Sequence, residues 1–205
     1  MMRKLLLPVT LLFLLVANNM QAQSLSEINT LRRINPDNPN SAAWTNLSST
    51  SKYISVGVPV GYIVAGLIHD NKALKQKAAY TAATILFNTA TTTLLKNVVK
   101  RDRPYNTYTG IFPDKLETDY AFPSGHTSSA FATATSLALT TKKWYVTVPA
   151  LAWSAGVGYS RIYLGQHYPS DVIMGALVGS SSSLICHWAT KQLAGRKKSK
   201  TVLVK

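Results

Sequence analysis

Cysteine and acidic residues are both scarce in this 205-residue chain. Cys186 is the single cysteine, so no intramolecular disulfide can form and the redox compartment stays undetermined by this criterion. A chain of this length can bury a sufficient core without disulfides or metals, which predicts one folded domain. Only 8 Asp and Glu stand against 22 Lys and Arg, and the net charge of +14 indicates an anionic partner.

Sequence patterns of nucleic-acid recognition are also missing. The chain contains no zinc-finger, helix-turn-helix or ribonucleoprotein motif, and its basic residues lie at the ends of segments rather than along one stripe. We therefore expect no nucleic-acid partner. Anionic lipids and phosphate esters remain as the two classes of partner that the charge favours.

The N-terminus is typical of an exported protein. Residues 1–22 combine a short basic start, an apolar run and a small residue, Ala22, where cleavage of a signal peptide would fall. Because Met20 is large for the other recognition position, an uncleaved anchor is the alternative. Residues 23–52 are polar and turn-rich, with two Asn-Pro pairs, and we expect an exported arm without a long helix.

Five helix-sized stretches without Asp, Glu, Lys or Arg follow this arm. They predict an all-α bundle of about five core helices over residues 53–190, followed by a basic C-terminal tail over 191–205. Their Ala, Ser, Thr and Gly content suits closely packed membrane helices, whereas the mean hydropathy of +0.05 leaves a soluble bundle open. The stretches are Tyr53–His69, Ala78–Leu95, Ala121–Thr141, Trp144–Ser160 and Val172–Thr190.

Charge alternates between the two ends of this predicted bundle. One end collects lysine-rich segments, and the other collects the loops 96–120 and 161–171. An exported arm places the lysine-rich end on the cytoplasmic side, as the positive-inside rule requires. The lysine-rich end contains Lys72, Lys75, Lys77, Lys142, Lys143, Lys191, Arg196, Lys197, Lys198 and Lys200.

The first candidate cluster lies at the end of the second uncharged stretch. Lys96 and Arg103 are seven positions apart, about two helical turns, so they can share a helix face. Pro104 disfavours a helical conformation at Arg103 and leaves its guanidinium at a helix end, where it can bind two phosphate oxygens. Taken alone, the cluster is more typical of ordinary surface charge near a membrane.

The second candidate cluster, Phe122 to His126, directly precedes an uncharged stretch. Pro123 and Ser124 suit a helix start, and Gly125 allows a ligand to approach the backbone. Free N–H groups at a helix N-terminus bind anions, and His126 in the first turn can donate a proton to a leaving oxygen. A simple helix cap is the alternative interpretation.

The third candidate cluster combines Ser160-Arg161 with His167 and Asp171. The histidine and the aspartate are four positions apart, so the carboxylate can accept the Nδ1 proton and leave Nε2 as a neutral nucleophile. Asp171 is also the acid that borders the fifth uncharged stretch. A surface contact between the two side chains is the alternative.

In their order and spacing, Lys-x6-Arg-Pro, Pro-Ser-Gly-His and Ser-Arg-x5-His-x3-Asp resemble the signature of the type 2 phosphatidic acid phosphatase and vanadium haloperoxidase superfamily. The resemblance covers about Tyr53 to Thr190 and implies a helical bundle with an active site at one end. It implies that His167 attacks phosphorus, that His126 protonates the leaving oxygen and that Asp171 orients His167. The residues implied to bind phosphate are Lys96, Arg103, Ser124, Gly125 and Arg161.

The resemblance implies no cofactor and no metal, since three cationic side chains stabilise the phosphate. The expected function is that of a phosphatase of phosphate monoesters or pyrophosphates, with a phosphorylated lipid or a small phosphate ester as substrate. We expect a place in the bacterial cell envelope, either in the inner membrane with the site facing the periplasm or in the periplasm itself.

Four alternatives stay open at this point. A soluble periplasmic acid phosphatase and a vanadate-dependent haloperoxidase would use the same site. A transporter-like or structural membrane protein would carry its charges along a polar path and lack phosphatase activity. A basic protein that binds anionic membrane surfaces would depend on the C-terminal lysines.

Overall fold

The computed structural model describes residues 25–202, with side chains up to Leu193. Every regular element among them is helical, which confirms the predicted all-α class. The predicted signal segment and most of the basic tail's side chains lie outside the described residues. The helices are α1 (Leu25–Ile34), α2 (Ala42–Ile68), α3 (Lys72–Val99), α4 (Pro104–Thr107), α5 (Gly125–Thr141), α6 (Trp144–Tyr163) and α7 (Pro169–Val202).

Each of the five uncharged stretches forms most of a long helix, although Ala121 to Ser124 precede α5 and His69 follows α2. The N-terminal arm differs from the expectation. It contains helix α1, and α2 already begins at Ala42. Ile28 and Leu31 are buried, so a short amphipathic face stabilises the helix in this polar segment. The Asn-Pro pairs lie in the connection between α1 and α2, where they do interrupt the helix.

The helix boundaries follow from local chemistry. Asn71 caps α3, since its side-chain oxygen accepts hydrogen bonds from the N–H groups of Ala73 and Leu74. Lys100 and Lys142 adopt left-handed backbone conformations, with φ of 51° and 54°, and end α3 and α5.

Helix α5 is the centre of the bundle and packs against α2, α3, α6 and α7. Small residues allow these close approaches. A Cβ on Gly175 of α7 would lie 2.7 Å from the carbonyl oxygen of Ser124, so glycine is needed where α7 passes the start of α5. This contact brings the first turn of α7 and the second candidate cluster to the same end of the bundle.

Small polar residues fill the interior of the bundle, and apolar residues cover its outside. Ser55 of α2 forms a hydrogen bond with Thr133 of α5 at 2.8 Å, and Thr92 of α3 forms one with Ser128 of α5 at 3.0 Å. In contrast, many large apolar side chains are exposed on α2, α3, α6 and α7. Helices in lipid associate in this way, through small residues and interhelical hydrogen bonds.

Among the described residues, two helices are long and apolar enough to cross a membrane, Ala42–Ile68 and Pro169–Leu193. Only 17% of the apolar window in the first of them is buried within the bundle. A helix from the core of a soluble protein would bury most of this window, so the exposed surface of α2 needs another covering. The other three long helices do not meet the same combined requirement for length, hydropathy and low charge.

Candidate active site

A cavity of about 530 Å³ opens at the end of the bundle opposite Lys72 and Lys142. Helices α3 and α6 end there, and α5 and α7 begin there. The cavity brings together residues from all three candidate clusters of the sequence. Those that line it are Lys96, Arg103, Gly125, His126 and His167.

Three further candidates lie behind the cavity wall rather than in it. Ser124 and Asp171 are fully buried, and Arg161 is 2% exposed. Arg161 still reaches the site through Glu117, which lines the cavity and lies 3.2 Å from its Nη2 atom. The Ser124 hydroxyl pairs instead with Thr127 Oγ1 at 2.9 Å.

Lys96 and Arg103 reach the same place by a different route from the one predicted. The expectation that they share a helix face is wrong, because Lys100 ends α3 and Arg103 has extended backbone angles, φ −72° and ψ 151°. Both side chains nevertheless contact Asp119, with Lys96 Nζ 3.0 Å from Oδ2. The expected effect of Pro104 is confirmed, since Pro104 begins α4 and Arg103 stays outside it.

Arg103 is held rigidly among backbone and side-chain acceptors. Its Nη1 atom donates to the backbone oxygen of Gln166 at 2.9 Å and to the side-chain oxygen at 3.0 Å. Its Nε atom donates to the backbone oxygen of Asp119 at 3.0 Å. A guanidinium that is 2% exposed and fixed on three sides presents a pre-oriented donor to an anion.

Arg161 is in the last turn of α6, and its guanidinium is fixed by a residue of α2. Its Nη1 atom donates to the hydroxyl of Ser48 at 2.9 Å. Ser48 belongs to the first turns of α2, so the early start of this helix contributes to the site. Two guanidiniums, one from the segment before α4 and one from α6, are therefore fixed near the same side of the cavity through Glu117.

Two carboxylates, Glu117 and Asp119, form ion pairs with these cations. Glu117 Oε2 is 2.5 Å from Arg103 Nη2, and Lys96 and Arg103 both bind Asp119. Burial alone would raise the pKa of Glu117, but Arg161 and Arg103 outweigh it and hold that pKa below its ordinary value. Lys96 and Arg103 likewise outweigh burial and lower the pKa of Asp119.

The start of α5 has the expected form. Ser124 occupies the N-cap position, Gly125 begins the helix, and His126 lies in its first turn, half-buried at the cavity. The N–H of Ser124 donates to the backbone oxygen of Asp171 at 3.0 Å, which ties this helix start to α7. The next N–H groups have no partner in the preceding turn, as at any helix N-terminus, and are suited to an anion.

His167 and Asp171 approach each other at the start of α7. The distance from Nδ1 of His167 to Oδ2 of Asp171 is 3.6 Å, slightly longer than a hydrogen bond. Asp171 Oδ2 also accepts the N–H of Tyr168 at 3.0 Å, as in a capping box. Burial, reinforced by Arg161 and Arg103, lowers the pKa of His167 well below its ordinary value, so its ring is neutral.

Sequence reasoning missed four charged residues around this site: Glu27, Arg101, Glu117 and Asp119. Three of the chain's 8 acids lie within positions 114–119, and this concentration was the available signal for the last two. Arg101 lies inside the first cluster, where its partner was not apparent. No local pattern connects Glu27 with residues so distant in the sequence.

The arrangement can bind a tetrahedral anion and attack it. Two cations, a helix N-terminus, a neutral buried histidine and a second histidine meet at one cavity, and a third cation, Arg161, lies behind its wall. Phosphoryl transfer needs this set of groups. Within residues 25–202, no three His, Cys, Asp or Glu side chains are grouped so that they could hold a metal ion.

The chain matches known proteins over the same region. A family model described as the PAP2 superfamily matches residues 77–194, more than half of the chain. The undecaprenyl-diphosphatase of Sulfolobus acidocaldarius is 37% identical over 91 residues, which are 44% of this chain and 44% of that protein. The chain thus spans less than half the length of this relative.

Two solved structures share the fold. The crystal structure of Aquifex aeolicus LpxE matches with a TM-score of 0.65 at 24% identity, over 80% of this chain and 96% of the other. The transmembrane PAP2-type phosphatidylglycerolphosphate phosphatase from Bacillus subtilis matches with a TM-score of 0.53 at 18% identity, over 91% and 96%. At these identities the likeness concerns the architecture.

Proposed function

The chain belongs to the PAP2 superfamily, and from that premise we propose that it is a metal-independent lipid phosphatase acting through a phosphohistidine on His167. The observation that carries this proposal is the convergence of Lys96, Arg103 and Arg161 on two carboxylates beside the two histidines. Three cations face two negative charges there. A phosphate group brings about the same charge, since it carries about −1.5 to −2 near neutral pH.

The reaction takes place in two steps. In the first, Nε2 of His167 attacks phosphorus, the P–O ester bond breaks, and His126 gives its proton to the departing oxygen. In the second, His126 takes a proton from water, the water oxygen bonds phosphorus, and the P–N bond to His167 breaks, which releases inorganic phosphate. Asp171 holds the ring of His167 and stabilises its positive charge.

The cationic residues stabilise the charge of the transition state. Lys96, Arg103 and Arg161 bind the equatorial oxygens of phosphorus, where negative charge is spread during transfer. Ser124 and the N–H of Gly125 complete the site at the start of α5. Because these groups supply the positive charge, the proposed reaction proceeds without Mg²⁺ or Zn²⁺.

The bundle lies in a membrane, and its substrate is a lipid. The exposed apolar face of α2 and the small polar interior support this placement. Lysines at the opposite end support a cytoplasmic position for that end and a periplasmic position for the cavity, in an envelope protein exported by residues 1–22. The relatives of the chain include an undecaprenyl-diphosphatase and a phosphatidylglycerophosphatase B, so both lipid classes are candidates.

Phosphate release by the detergent-purified full chain tests the proposal. The substrates are undecaprenyl pyrophosphate, phosphatidylglycerophosphate, phosphatidic acid and p-nitrophenyl phosphate. We expect hydrolysis of at least one lipid in the presence of EDTA, inhibition by vanadate, and a loss of about 10³-fold or more in His167→Ala. The matched control is His69→Ala, because His69 is exposed at the opposite end of the bundle.

Two results would contradict the proposal. A fully active His167→Ala protein would exclude the phosphohistidine, and activity that EDTA abolishes and Mg²⁺ restores would exclude the metal-independent mechanism. Hydrolysis of p-nitrophenyl phosphate alone would instead favour a non-specific acid phosphatase.

A further inference from the structure

Arg101 forms a buried ion pair with Asp171, the residue that faces His167. Arg101 Nη1 donates to Oδ1 of Asp171 at 2.7 Å, and the two side chains are 7% and 0% exposed. The other carboxylate oxygen of Asp171 faces Nδ1 of His167. The aspartate is therefore held between an arginine on one side and the histidine on the other.

A buried carboxylate without a cation would take up a proton, since the loss of hydration is costly for the charged form. Among the described residues, Arg101 is the cation in direct contact with Asp171. A protonated Asp171 would lose the charge that supports a positive His167. The charge of Arg101 therefore acts on His167 through Asp171.

Arg101 is itself fixed by helix α1. Its Nη2 atom lies 3.1 Å from Oε2 of Glu27, which is 14% exposed. Oε1 of Glu27 accepts hydrogen bonds from both the N–H and the hydroxyl of Ser170, in the first turn of α7. The guanidinium also lies 3.8 Å from the centre of the Tyr168 ring. Glu27 thus joins Arg101 to the turn that carries Asp171.

Helix α1 is docked firmly enough to hold Glu27 in place. Ile28 and Leu31 pack in one buried cluster with Ile111, Ile162 and Tyr168. Asn35, at the end of α1, donates to the backbone oxygens of Phe112 and Tyr163 at 2.8 and 2.9 Å. The polar N-terminal arm is therefore part of the support of the active site.

We propose that Arg101 and Glu27 are positioning residues: α1 holds Arg101 on Asp171, which keeps Asp171 ionised and fixes the ring of His167 for attack. This inference rests on the proposed phosphatase function and adds two residues to it. Neither Arg101 nor Glu27 lines the cavity, and both side chains are bonded to Asp171, Ser170 or each other rather than to a residue assigned to the phosphate. Their effect should appear in the chemical step rather than in substrate binding.

The first test measures kcat and KM for dioctanoyl phosphatidic acid and p-nitrophenyl phosphate. We expect Glu27→Gln to lower kcat about 10- to 100-fold with little change in KM, which is the typical effect of a partner behind an active group. Arg101→Gln should lower kcat further. Arg101→Lys should restore part of this loss, because lysine keeps the positive charge but cannot bind two carboxylates through separate nitrogens. If Arg101→Gln fails to fold, the kcat of Glu27→Gln alone tests the proposal.

Two variants of α1 serve as controls. Arg32→Gln removes an exposed charge from the same helix, and Asn35→Ala loosens the docking of α1 while Glu27 stays in place. We expect Arg32→Gln to keep the kcat of the native protein, and Asn35→Ala to lower the melting temperature but to lower kcat less than Glu27→Gln does, because Glu27 still carries its carboxylate. An equal loss of kcat in Asn35→Ala and Glu27→Gln would reduce Glu27 to a docking contact and overturn the inference.

The second test reads His167 directly and needs no turnover. The chain has 4 histidines, so histidine-selective ¹⁵N NMR in detergent resolves them, and His167→Gln identifies the resonance. We expect a ring protonated at Nδ1 in the native protein and a mixture of tautomers in Glu27→Gln and Arg101→Gln. Native tautomer and native kcat in both variants would overturn the inference, whereas an inactive native protein with these tautomer shifts would overturn only the phosphatase function.

Discussion

Glu117 places its carboxylate 2.5 Å from the guanidinium of Arg103. Its other oxygen lies 3.2 Å from Arg161, so one acid binds both arginines to which we assign the phosphate. Asp119 holds Lys96 in the same way. A substrate must therefore displace two carboxylates of the loop between α4 and α5 before its phosphate can reach these cations.

Replacing Glu117 by glutamine should strengthen phosphate binding. The neutral amide competes less well for two guanidiniums, and a charge-assisted hydrogen bond contributes about 1.5–3 kcal/mol, so we expect about a 10-fold lower inhibition constant for vanadate. KM should fall while kcat changes less. Steady-state hydrolysis of p-nitrophenyl phosphate with and without vanadate measures kcat, KM and the inhibition constant.

Asp114→Asn is the matched control. Asp114 belongs to the same loop, but its carboxylate accepts a hydrogen bond from Gln166 and not from one of the three cations. The vanadate constant of this variant should stay near that of the native protein. Weaker binding in Glu117→Gln would mean that Glu117 assembles the phosphate site instead of occupying it.

Protonation of His167 should not limit the activity in mildly acidic solution. Burial and the surrounding cations lower the pKa of His167 well below its ordinary value of 6.5. The neutral nucleophile is therefore fully present above pH 6.5 and is lost only as the pH falls through the lowered pKa. The ester itself ionises at about pH 6, and the profile is corrected for this. We then expect the acid limb of kcat/KM below pH 6.5. An acid limb above that value would show that His167 is easily protonated.

Local chemistry made much of the helical framework predictable. Uncharged stretches set the five long helices, and Pro104 and Ser124 mark positions where a backbone preference fixes a boundary. The early end of α3 was not predictable, since a left-handed Lys100 follows no strong residue preference. The sequence therefore located Lys96 and Arg103 at one site but misjudged how the chain between them runs.

Contacts between distant segments were beyond the sequence. Leu25, Ile28 and Leu31 are spaced as one face of a helix, so α1 could have been found, but its docking partners could not. Glu27 contacts Arg101 because α1 packs over the start of α7, and no sequence pattern in either segment predicts this contact. The roles assigned to the eight site residues remain predictions that the following experiments test.

The bundle should stay in the membrane after an alkaline or high-salt wash. Electrostatic attachment would be released by such a wash, whereas the exposed apolar face of α2 requires detergent for extraction. Membrane fractionation with immunoblotting measures this distribution. Recovery of the chain in the wash would favour the soluble phosphatase and would remove the basis for a lipid substrate.

Reporter fusions test the orientation of the same bundle. A fusion after Lys75 should report the cytoplasm, and a fusion near Lys115 should report the outer compartment, because these residues lie at opposite ends. The reverse pattern would place the cavity on the cytoplasmic side.

His167 and His126 should respond differently to the leaving group of the substrate. His167→Ala should lose nearly all turnover on every ester and form no acid-labile phosphoenzyme, since the covalent bond cannot form. His126→Ala should lose about 10²–10⁴-fold on alkyl phosphates, the usual contribution of a general acid, and much less on p-nitrophenyl phosphate, whose leaving oxygen hardly needs a proton. Asp171→Asn should fall between them, because the ring stays while its orientation and charge support are lost. Rapid-quench trapping of the phosphoenzyme separates the steps, and equal losses on both ester classes in His126→Ala would remove His126 from the role of acid.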